Sequence, residues 1–160
     1  MQMFQTVAKK MGDLWPSLAA TDYRQLQRGA KVRALSGGAF GAAAWDDNAA
    51  QVILDYLTHP DGLGLADSWI LNAGPTWETA QTVCDEAVTL KAGGTEARYR
   101  IWNTYRFDER PADVLARFMQ ACDATIYPTP GQGLAIKVGK WEAPTVTIDD
   151  DAIIGFSEVG

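Results

Sequence analysis

The chain has 160 residues, 47% of them apolar, with a net charge of −6, two cysteines and one histidine. That size and apolar content suit one domain, or one domain with an appendage, able to bury a core. The acidic balance counts against a nucleic-acid partner, because phosphate binding draws on basic patches. Two cysteines are too few for a disulfide framework or a structural zinc site, and no apolar stretch approaches a membrane span. The N-terminus lacks the basic-then-apolar pattern of a secretory signal.

Residues 3 to 15 carry Met3, Phe4, Val7, Met11, Leu14 and Trp15 at helical spacing, and Pro16 stops or kinks that helix. Residues 21 to 44, with Gly29, Gly37, Gly38 and Gly41, read as strand or loop. Residues 1–44 are therefore set apart as an N-terminal helix with an ill-patterned segment, and 45–160 as the main domain. Asp46, Asp47 and Asn48 offer N-cap oxygens to a helix running to about Leu57, with Ala49, Val52, Ile53, Tyr56 and Leu57 on its apolar face. It ends in "HPDGLGLADSW", where Pro60 cannot continue the helix and Gly62 and Gly64 can adopt positive φ.

A second helix is expected from Pro75-Thr76-Trp77, with Trp77, Ala80, Cys84 and Ala87 along one stripe. The period then changes. Val88–Leu90, a Gly93-Gly94 turn and a long strand from Ala97 to Phe107 read as a hairpin. In that strand Tyr99, Ile101, Asn103, Tyr105 and Phe107 share one face, and Arg98, Arg100, Trp102, Thr104 and Arg106 the other. Pro111 opens a third helix with Val114, Leu115, Phe118, Met119 and Cys122 inward. Strands follow at Thr125–Tyr127 and through Leu134, Ile136 and Val138, joined by "PTPGQG", and a last short strand includes Ile153, Ile154 and Phe156. The order helix, strand, glycine turn, strand occurs twice, and Cys84-Asp85 and Cys122-Asp123 lie 38 residues apart. The pattern predicts an α+β fold: a mainly antiparallel sheet with helices packed on it, and an α-β-β pseudo-repeat.

No reaction centre emerges from the residues. His59 and Asp61 resemble a ligand pair, but a metal needs three or four ligands and there is no second histidine; a helix terminus is the plainer reading. "GLG" at 62–64 follows a helix, where the dipole has the wrong sign for phosphate. Cys84 and Cys122 each end an apolar stripe and precede an aspartate, which suits a core thiol better than a nucleophile. Asp149–Asp151 read as a solvated turn, and the other carboxylates show no acid/base pairing. No cofactor, metal or catalytic residue is assigned. The arginine face is different. Arg98, Arg100, Trp102 and Arg106 form the residue mix of a protein interface, with a second layer of the same domain as the equal alternative.

The stretch "WDDNAAQVILDYLTHPDGLGLADSWI" resembles a segment of phage tail-tip proteins, and Trp77, Cys84-Asp85-Glu86, the run Gly93 to Tyr99, the apolar helix 111–122 and the strands near Tyr127 and Ile136 follow in the same order. Over about residues 45–158 the chain resembles the tail-tip attachment (host specificity) protein J family and the related tail proteins of the baseplate hub. The family's Glu-Pro-Arg-Tyr reads Glu96-Ala97-Arg98-Tyr99 here. The resemblance implies a structural part of the virion, assembled in the host cytoplasm. Its implied partners are other tail proteins or further copies of itself, with neither nucleic acid nor membrane. The rival expectations are a small cell-wall-polymer hydrolase carried by a tail, and a host adaptor domain.

Overall fold

In the computed structural model, residues 29–106 and 108–146 are described; the helix expected at 3–15, the strand at 153–156 and Phe107 lie outside the described residues. The central element is helix α1 (Ala49–Thr58). Asn48 caps it, accepting from the backbone N–H groups of Ala50 (3.1 Å) and Gln51 (3.3 Å). Asp46 accepts in turn from the Asn48 N–H at 2.9 Å. The sequence expectation placed one face of this helix inside. In the fold it is buried nearly all round: Ala50, Ile53 and Leu54 have no exposed surface, and Val52 is only half-buried. Helices α3 (Gly74–Asp85) and α4 (Pro111–Ala121) both pack on it, so it has two inner faces rather than one. Burying Ile53, Leu54 and Leu57 contributes about 1.5–3 kcal/mol apiece, more than the roughly 1 kcal/mol of a good cap.

The loop after α1 folds back onto the helix it ends. Leu63 N–H donates to the Tyr56 carbonyl and Leu65 N–H to that of Leu57, satisfying the last turn. Gly64 takes φ +62°, and at residue 62 a Cβ would overlap the Tyr56 carbonyl oxygen. His59 closes the turn by accepting from the Asp61 N–H through Nδ1 at 3.1 Å. The chain then forms a short helix, α2 (Asp67–Leu71), which the hydrophobic pattern did not reveal.

Helix α3 begins at Gly74, with Pro75 in its first turn near the expected start, and buries Trp77, Ala80 and Cys84. Ala87 lies beyond it and is exposed. The Trp77 indole N–H donates to the Leu134 carbonyl at 2.6 Å, which fixes strand β6 (Gly133–Lys137) against α3. Before α1, strands β1 (Leu35–Ser36) and β2 (Ala39–Phe40) form a hairpin whose turn, Gly37-Gly38, takes positive φ at both residues. Leu35 is buried, and its N–H and C=O both bond the Gln81 carboxamide. Arg33 binds both Asp67 carboxylate oxygens (3.0 and 2.9 Å) and lies over the Phe40 ring. Residues 32–44 are thereby joined to the core.

The class is α+β and every strand pair is antiparallel, but the single sheet expected from the pattern is replaced by three separate hairpins among the described residues: β1–β2, β3–β4 (Ala87–Thr89 with Thr95–Ala97) and β5–β6 (Thr125–Thr129 with β6). The expected strand 97–107 also stops at Ala97. Its backbone donors change partner. Arg98 N–H bonds Glu86 C=O, Tyr99 N–H bonds Cys84 C=O, and Ile101 N–H bonds Asp47 C=O. The chain thus leaves its hairpin, crosses the end of α3 and reaches the start of α1. The two expected faces survive only in part: Ile101 is buried and Trp102 exposed, while Arg98, Tyr99 and Arg100 are all half-buried. Asn103, placed on the inner face by alternation, is exposed. Tyr105 returns to the core, where it meets Tyr56 and Phe118 edge-on at 5.0 and 6.0 Å.

Helix α4 buries Val114 and Phe118, with Leu115 and Met119 half-buried. At its end Ala124 N–H reaches the Met119 carbonyl (2.8 Å) and Asp123 takes φ 48°, the left-handed residue of a helix stop. The helix-then-hairpin order occurs twice, α3 with β3–β4 and α4 with β5–β6. Cys84 sits in the last turn of α3 and Cys122 directly after α4; both are buried and unpaired.

The fold makes two predictions. Asn48→Ala removes the cap and strands the Gln81 carbonyl it also serves, so it should cost about 3 kcal/mol. Asn48→Ser keeps a cap oxygen and should cost about half that in urea unfolding; a loss under ~0.5 kcal/mol for both, the range of surface changes, would contradict the assignment. Burial raises both thiols, that of Cys122 to about 12, leaving roughly one thiolate in 10⁴ at pH 8 for that residue. A thiol-titrating disulfide should therefore react slowly with the native protein and count two thiols once it is denatured without reductant.

Candidate interaction surface

Arg98, Arg100 and Trp102 stand on one ion-paired strip. The Arg100 guanidinium bonds Asp47, just before α1, at 3.0 Å, and also Asp85, the last residue of α3. The second oxygen of Asp47 accepts from the Trp102 indole N–H. Arg98 meets Glu86 at 3.2 Å, and Glu86 also binds Lys140 at 3.0 Å. Arg106 belongs elsewhere: it pairs with Asp108 in the turn before α4, and its backbone N–H is held by Glu109. The structure brings three of the four sequence-selected residues together, and no described bond joins Arg106 to them.

The sequence picture of a tryptophan among positive charges is corrected by the partners. Arg98, Arg100 and Lys140 face Asp47, Asp85 and Glu86, so the strip is charge-balanced. Alternation within one strand shows only that strand's own side chains. The carboxylates come from the ends of α1 and α3, which the pattern cannot place beside it. Burial works against the Arg100 charge, but the Asp85 hydrogen bond and the Asp85 and Asp47 charges outweigh it and hold the guanidinium above its ordinary value. Lys140 and Arg98 together hold Glu86 below the ordinary carboxylate range. Lys140 carries no local signal that would have marked it in the sequence.

Trp102 is the most exposed large apolar residue described, at 87%, although its N–H is fixed. Of the described tryptophans only Trp77 is buried; Trp45, Trp69, Trp102 and Trp141 are exposed. Most of the indole area therefore serves surfaces rather than the core, which is the use interfaces make of tryptophan.

His59 and Asp61, the pair that first resembled a ligand set, lie 3.9 Å apart at an exposed loop and bond within it. Among the described residues no group of three or more His, Cys, Asp or Glu side chains could hold a metal, and no helix is long and apolar enough to cross a membrane. No protein-family model matches the chain, and no curated protein matches it.

The strip generates a contrast. Trp102→Ala removes an exposed ring and should change stability by no more than about 0.5 kcal/mol. Arg100→Glu places like charge beside Asp47 and Asp85 and should cost about 1 kcal/mol or more. Thermal unfolding of the two variants should separate them in that order; the reverse order would show that Trp102 is structural.

Proposed function

We propose that the chain is a structural domain of a phage or prophage tail tip, at the baseplate hub, acting through protein–protein assembly and not through catalysis. The observation that carries the assembly reading is Trp102: an indole exposed at 87% yet fixed by Asp47, which is itself held by Arg100. An exposed aromatic whose rotamer is already set loses little entropy on docking, and such residues anchor interfaces. The tail-tip assignment rests on the ordered motif series from Trp45 to Ile136. On this reading the neighbour is another tail protein or a further copy of the chain, and the protein resides in the virion.

Two measurements test this. The chain should co-sediment with tails from lysed, induced cells and appear in their mass spectrum; particles that assemble and infect without it would overturn the proposal. Trp102→Ala should weaken partner binding by roughly 2 kcal/mol, about thirtyfold, with folding intact.

A further inference from the structure

A cleft of about 490 Å³ opens between the end of β6 and the segment after β4, with Trp141 exposed at 82% in its lining. We infer that this cleft is a saccharide-binding site, in which Trp141 receives the face of a pyranose ring and Asp123, Arg98 and Lys137 bond its hydroxyls. The inference is independent of the tail-tip reading.

The walls are built to hold a shape. The Tyr99 hydroxyl donates to the Gly139 carbonyl at 2.6 Å, and Gly139 N–H donates to the Cys122 carbonyl at 3.0 Å. A Cβ at residue 139 would lie 2.7 Å from the Asp123 Cβ and 2.9 Å from its Oδ2, so glycine is what lets the Asp123 side chain lie across the strand end. The volume falls within the range of small-molecule sites.

Charge selects the ligand class. The cleft is lined by Arg98, Lys137 and Lys140 as well as Asp123. Glu86 binds Arg98 and Lys140, and Glu142 binds Lys137 at 3.2 Å. Each of the three lining cations is thus already held by a carboxylate outside the lining, so a phosphate or an acidic peptide would have to displace these ion pairs, and Asp123, the one carboxylate of the lining, would repel either. An apolar ligand would leave these charged groups without solvent. A polyhydroxylated ring meets both demands. Its hydroxyls donate to Asp123 and accept from Arg98 and Lys137 as charge-assisted hydrogen bonds. Its weakly positive C–H face lies on the negative π-face of the indole.

The test is isothermal titration calorimetry of the full chain with maltoheptaose, chitotetraose, cellotetraose and inorganic phosphate. At least one of the saccharides should saturate with a Kd of about 1 mM, typical of a shallow site, and phosphate should not compete with it. Trp141→Ala should weaken that binding about tenfold or more, and Asp123→Asn, which keeps the left-handed backbone tolerable, by several-fold. Trp69→Ala, on α2, should bind as the parent does. Circular dichroism establishes that each variant is folded, and an unfolded Trp141→Ala is replaced by Trp141→Phe, whose smaller ring should still weaken binding. Saturation by none of the saccharides, competition by phosphate, or equal binding by the folded position-141 variant and the parent would overturn the inference.

Discussion

Asn48 has no exposed surface, and its carboxamide is divided between two helices. The oxygen accepts the first free N–H groups of α1, and the Nδ2 donates to the Gln81 carbonyl of α3 at 2.9 Å. Its backbone forms an isolated bridge with Arg100. The side chain of that same Gln81 works similarly: its carboxamide bonds both backbone groups of Leu35 and the Trp77 carbonyl. A buried amide must satisfy its hydrogen-bonding atoms or incur the full desolvation cost. These two do so only when α1, α3 and the first hairpin are in place, and the backbone bridge of Asn48 adds the segment after β4, so together they set the register of elements that share no continuous sheet. Among the described residues no buried side-chain nitrogen or oxygen lacks a partner.

The interaction strip inherits its geometry from this arrangement. Asp47 precedes Asn48, Asp85 and Glu86 end α3, and Arg100 is the bridge partner of Asn48. The carboxylates that hold Trp102 and the arginines are thus attached to, or next to, backbone that the buried Asn48 amide holds. A half-exposed ion pair contributes little to stability by itself. Its value here is positional: it fixes an exposed indole that would otherwise sample several rotamers.

The saccharide cleft depends on the other half of the same crossing. As the chain leaves β4, Tyr99 turns inward toward Gly139 while Arg98 turns outward to Glu86. Cys122 supplies the carbonyl that holds Gly139, which gives this buried residue a positioning role that thiol chemistry would not explain. Alternate side chains of one irregular segment therefore serve the core, the cleft and the exposed strip.

Local physics made part of this protein legible in its sequence. The cap among Asp46, Asp47 and Asn48, the stop at Pro60, the prolines in the first turns of α3 and α4, the Gly93-Gly94 turn and the inward positions Trp77, Val114 and Phe118 depend on neighbours within a few residues, and periodicity reports such neighbours directly; the Gly37-Gly38 hairpin lay in a segment read only as strand or loop. The α+β class, the inward Ile101 and the outward Trp102 were readable for the same reason. What only the tertiary structure decided depends on partners distant along the chain. That the strand after Ala97 is abandoned follows from Cys84 and Asp47 offering carbonyls where a neighbouring strand would have stood. That α1 is buried nearly all round follows from α3 and α4 both packing on a helix whose sequence differs little from a one-sided amphipathic one. That the arginines are neutralised follows from Asp47, Asp85, Glu86 and Lys140 converging from separate elements, and charge convergence has no period for a sequence to display.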